Sequence, residues 1–167
     1  MKDDNKVIKL VYTFFLGVLL AIFIGVGIET FYPSPTSPEY PAELSTYGKE
    51  MTDVQLQKQQ EYDESQRIYM DSLEPYNRNV SIIALVSSVV LLAVSLFIEK
   101  RLIKVIADGV MLGGLFMLLY SLIRGFAAQD SKYVFIVAAV GLVIAIYLGY
   151  HRFVEPHEKK PTVRKIK

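Results

Sequence analysis

Four apolar runs constrain this chain more than any other feature. Val7 to Ile28 carries one charge, Lys9; Val80 to Ile98 carries none; Val105 to Ile123 carries only Asp108; Tyr133 to Tyr150 carries none. At 1.5 Å per residue, about 20 residues of helix cross a hydrocarbon core of about 30 Å. Unpaired backbone amides are costly in lipid, so such runs read as helices. The sequence therefore predicts an all-α membrane protein: a four-transmembrane-helix bundle with an extracytoplasmic helical segment between helices 1 and 2. The 52% hydrophobic content of its 167 residues lies in blocks, unlike the dispersed pattern of a soluble domain.

The expected organisation is a cytoplasmic N-terminus at 1–6, a first span at 7–28, an extracytoplasmic loop at 29–78 and a second span at 79–98. A cytoplasmic connection at 99–104, a third span at 105–123, a short extracytoplasmic loop at 124–132, a fourth span at 133–150 and a basic cytoplasmic tail at 151–167 complete it. Lys2, Lys6 and Lys9 resemble the n-region of a signal peptide. The apolar run behind them is longer than the roughly 7–15 residues of a signal core, and no A-x-A pattern follows, so it reads as a span.

Orientation follows from the distribution of Lys and Arg. Twelve lie on the side of the termini: Lys2, Lys6, Lys9, Lys100, Arg101, Lys104, Arg152, Lys159, Lys160, Arg164, Lys165 and Lys167. Six lie on the other: Lys49, Lys58, Arg67, Arg78, Arg124 and Lys132. Both termini are thus expected to be cytoplasmic, in a plasma (inner) membrane. Aromatic residues agree, with Phe31, Tyr32, Tyr76, Tyr120 and Tyr133 at the outer boundary and Tyr12, Phe97, Tyr150 and Phe153 at the inner one. The basic C-terminal tail is suited to anionic lipid, at about 1 kcal/mol per charge.

The loop at 29–78 holds ten acidic residues against four basic ones. It opens with FYPSPTSPEYP at 31–41, whose four prolines hold the chain extended as a spacer. The PxxP spacing there also matches ligands of SH3-type modules, but those modules are largely cytosolic. Thr52 and Gln55 form a capping-box pattern that opens a helix over about 53–74, which Pro75 is expected to end or kink. Met51, Val54, Lys58, Tyr62, Ser65, Tyr69, Leu73 and Tyr76 recur on one face of it. Met51, Val54, Tyr62, Tyr69, Leu73 and Tyr76 are the candidate outer interaction face. Either the segment Ala42 to Gly48, through Leu44 and Tyr47, or another protein or copy should cover it. The sequon at Asn79-Val80-Ser81 abuts the bilayer and reads as chance.

Helix association in lipid depends on close packing at small residues. Candidate packing positions are Gly17, Ala21 and Gly25 in the first span and Ser81, Ser88 and Ser95 in the second. Gly109 and Gly113 serve the third, and Gly141, Ala145 and Gly149 the fourth. The resemblance of GVLLA at 17–21 to GVMLG at 109–113 is too short to establish a repeat. Asp108 is the one ionisable residue well inside a span. With Lys104 four residues before it and Lys9 at similar depth, it forms a candidate ion or salt-bridge site.

No chemistry-bearing constellation stands out. With no cysteine, disulfides, thiolate catalysis and Cys-type zinc sites are excluded. His151, Glu155, His157 and Glu158 lack convergent partners, and no HExxH, GxSxG or phosphate loop occurs. No enzymatic activity, cofactor, metal site or nucleic-acid partner is expected. In topology alone the outline is similar to claudin-type and connexin-type four-helix proteins, whose outer-loop cysteines and tryptophan this chain lacks. The expected function is a scaffold or accessory subunit of a membrane complex, or a homo-oligomer, contacting partners through the acidic outer helix and the small-residue seams. The alternative is a small oligomeric channel or transporter with Asp108 near the inner mouth.

Overall fold

The computed structural model describes residues 4–44, 52–101 and 104–153, and within them all regular structure is helical. Helix α1 spans Asp4–Phe31, α2 Asp53–Arg101, α3 Lys104–Ala127 and α4 Ser131–Phe153, with a 3-10 turn at Ala42–Leu44. All four helices are long and apolar enough to cross a membrane.

The span and the soluble helix expected on either side of Pro75 are one helix of 49 residues. It is about 73 Å long at 1.5 Å per residue, more than twice a bilayer core. Pro75 does not end it. Proline removes one N–H, and the carbonyl that N–H would serve belongs to Asp71, a residue at an exposed position where solvent can take the place of the lost bond. Pro75→Ala restores that bond and is expected to stabilise the protein by about 1–3 kcal/mol, read as a higher melting midpoint in detergent. An unchanged midpoint would show that the helix is already broken there.

Helix α3 is the hub. In its apolar window 44% of residues are buried, against 6% for α1 and 17% for α4. α2 and α1 pack along it extensively, while α4 rests against it more lightly. Glycines allow the approach: a Cβ on Gly17 would stand 3.1 Å from the backbone nitrogen of Gly113, and one on Gly113 would stand 3.2 Å from the carbonyl oxygen of Gly17. α1 and α3 therefore meet almost backbone to backbone, running parallel, with Thr13 donating to the Val105 carbonyl at 3.5 Å. α1 and α2 meet chiefly at the proline-rich end, where Ile28, Tyr76, Val80, Ala84 and Met117 form a core cluster.

The turn between α3 and α4 is tight. Ala128 donates to the carbonyls of Arg124 and Gly125, and Gln129 takes a left-handed φ of 56°. The Asp130 carboxylate then caps α4, accepting from the backbone of Lys132 at 3.0 Å and Tyr133 at 3.2 Å.

Candidate functional site

Above the point where α1 and α3 end, the first 24 residues of α2 form a rod about 35 Å long. Two sets of contacts hold it.

The first lies along its side. Beyond Phe31 the chain runs extended through its prolines back up the rod. Tyr32 stacks on Tyr76 with centroids 5.4 Å apart, and Tyr40 meets Tyr62 edge-on at 5.2 Å. Leu44 is buried, Lys58 pairs with Glu43, and the Gln55 amide donates to the Glu43 carbonyl at 3.1 Å. At the rod's free end Thr52 N–H donates to Gln55 Oε1 at 3.0 Å, the reciprocal half of a capping box. The proline-rich segment is thus a strap along the rod.

The second set is a clamp at the rod's base. Arg124, in the last turn of α3, donates through Nε to the Tyr120 hydroxyl at 3.0 Å and through Nη1 to Asn77 Oδ1 at 3.0 Å. Its guanidinium carbon lies 5.6 Å from the ring centroid of Tyr76 and 5.4 Å from that of Tyr120, within cation–π range. The position also favours a cation, because helix carbonyls concentrate negative potential there. Asn77 in turn donates to the Ala127 carbonyl at 3.4 Å, serving one of the carbonyls left open at the end of α3. Tyr76 donates to Glu29 at 3.0 Å, Glu29 accepts from Ser34 N–H at 3.3 Å, and Asn79 donates to the Tyr32 hydroxyl at 2.9 Å. Tyr133 on α4 donates to the Arg78 carbonyl at 3.2 Å. The other three helices are all tied to the rod at its base.

Below the clamp, α2 and α3 are closed by serines. Ser81 donates to the Ser121 carbonyl and Ser121 to the Ser81 carbonyl, each at 2.8 Å, and Ser88 donates to the Gly114 carbonyl at 2.8 Å. Ser81→Ala is expected to cost about 0.6–1.7 kcal/mol, the range of interhelical hydrogen bonds in membranes. The test is its unfolding curve beside that of Ser87→Ala, whose hydroxyl bonds only its own helix.

The residues expected from sequence fall in different places. Gly17, Gly109 and Gly113 lie in the α1–α3 contact, and Gly141 faces Leu118 across α3–α4. Ala21 lines an open slot beside Gly25, while Gly25 and Gly149 have open space around them and Ala145 is exposed. Ser95 bonds the Leu92 carbonyl of its own helix. Asp108 is half-buried near the start of α3, and Lys9 and Lys104 are exposed. On the rod, Tyr76 is buried, Tyr62, Tyr69 and Leu73 are half-buried, Val54 is exposed, and Met51 lies outside the described residues. The tail beyond 153 does too.

In the sequence Arg124 and Glu29 register only as charges, and Asn77 carries no signal of its role. Their convergence depends on three helix ends meeting, and only the spacing of Tyr120 one turn before Arg124 hints at it. Chemically the clamp offers positioning: its donors and acceptors satisfy one another. Among the described residues no group of His, Asp or Glu is placed to hold a metal ion.

Four long apolar helices, one of them prolonged into a strapped rod, point to a multi-pass membrane protein. Comparison with protein-family models, with curated protein sequences and with solved structures finds no match for the chain.

Proposed function

We propose that this protein is a non-enzymatic accessory or scaffold subunit of a larger membrane complex, sited in the plasma (inner) membrane with both termini cytoplasmic and the rod outside. One observation carries the reading: α2 runs unbroken from the apolar spans into a rod braced along its side and clamped at its base. An amphipathic helix alone in water is marginal, so a chain that builds and braces one presents it for contact. The strap covers part of the expected face, and Leu56, Ile68 and Met70 remain exposed elsewhere on the rod. Around them six acidic residues between Asp53 and Glu74 outnumber two basic ones, which favours a partner with basic and apolar surface.

A photoreactive residue at Ile68 is expected to give one discrete adduct with a different protein in native membranes. Adducts only between identical chains, or none, would sink the reading. The second reading, a channel or transporter, draws on the half-burial of Asp108 in the hub helix. Asp108→Asn separates the two, because a channel loses ion dependence of flux whereas a scaffold shows a stability change of about 1 kcal/mol.

A further inference from the structure

On the side of the chain termini, α4 stands away from α2 and leaves a lateral groove of about 490 Å³. Val89, Ala93 and Phe97 of α2 form one wall, and Val143, Tyr147 and His151 of α4 form the other. From Val89 to Phe97 it is about 12 Å long. Its walls are apolar until its end, where His151 sits half-buried with its ring 6.2 Å from that of Tyr147. The same end of the molecule carries, in sequence, Lys100, Arg101 and Lys104 at the α2–α3 connection and Arg152 beside His151.

The medium selects the occupant: a groove open to the side between two apolar helices meets acyl chains first in a bilayer, and these are as apolar as the leucine they would touch. Charge selects its headgroup, since basic pockets between membrane helices on the cytoplasmic side hold anionic lipid headgroups. We propose that the groove is a binding site for an anionic glycerophospholipid, one acyl chain between α2 and α4 and the phosphate at the His151 end. The proposal rests on the membrane-spanning, termini-inside reading given above.

The chain contains no tryptophan, so a single introduced indole is an unambiguous probe. Tyr147→Trp places it in the groove, and Phe23→Trp places it on α1, where Phe23 is 75% exposed. Each full-length variant is reconstituted in phosphatidylcholine vesicles containing a minor fraction of phosphatidylglycerol with brominated acyl chains, which quench indole on contact. Tyr147→Trp is expected to report local phosphatidylglycerol about fivefold above random mixing, the factor corresponding to roughly one favourable charge contact. Phe23→Trp should report random mixing, and Ala93→Phe, which fills the groove from an exposed position, should abolish the excess at Tyr147→Trp. Equal quenching at the two probes, or an excess that survives Ala93→Phe, would overturn the site. If Phe23→Trp is quenched by no brominated lipid, including brominated phosphatidylcholine, then membrane insertion itself fails and the site with it.

Discussion

Arg124→Met is expected to lower stability by about 2–4 kcal/mol and to release the rod from its fixed angle. The substitution keeps the stem but removes the guanidinium, and with it the charged hydrogen bonds to Asn77 and Tyr120, at about 1.5–3 kcal/mol each before compensation by water. It also removes cation–π contact with Tyr76 and Tyr120, worth about 0.5–1 kcal/mol at a partly exposed site. Asn77 keeps its bond to Ala127 but loses the donor to its Oδ1. The readout that separates a clamp from mere bulk is geometric. Spin labels at Leu56 on the rod and Ser131 at the start of α4 should give a narrow distance distribution in the native protein and a broad one in Arg124→Met. Equal widths would mean that the strap alone holds the rod.

The second large effect is expected at the α1–α3 crossing. Gly17→Val puts a branched carbon about 3 Å from Leu112 and from the backbone of Gly113, neither of which is the free end of a flexible side chain. Helix axes must separate, at about 1–3 kcal/mol for the overpacking itself. α1 carries Glu29 and leads directly into Tyr32, so separation also weakens the clamp and the root of the strap. Gly25→Val, one face and two turns further along α1, meets open space and should be close to neutral. Urea or thermal unfolding of both variants in the same detergent checks the pair. Equal destabilisation would show that α1 loses stability through glycine content rather than through this crossing.

The spans were legible because hydrophobicity in a block is a bulk property, readable without knowing what touches what. The rod's continuity was not. Pro75 is a terminator by its covalent structure, and the exposed position of Asp71, whose carbonyl loses its partner, explains why one lost bond leaves the helix whole. The stripe at Tyr62 and Tyr69 was visible as a face needing cover, and Leu44 supplies part of that cover, while Tyr47 lies outside the described residues. That Tyr40 reaches back to Tyr62 depends on where the proline segment turns, which periodicity does not encode. All four spans carry small residues, so their number alone did not mark α3 as the hub. The adjacent Gly113 and Gly114, facing α1 and α2 respectively, make it one. The clamp was least legible, because a lone arginine near a helix end satisfies a topology rule whether or not three helices converge on it.

If the rod is a platform for another protein, the particle formed in native-lipid nanodiscs has a mass that shows it. One or two copies of this 18.9 kDa chain are expected together with a distinct partner, and that partner is expected to be lost when Leu56, Ile68 and Met70 are replaced by glutamate. A particle containing only several identical copies, unchanged by those substitutions, would contradict the platform role and make ion flux through Asp108 the question instead.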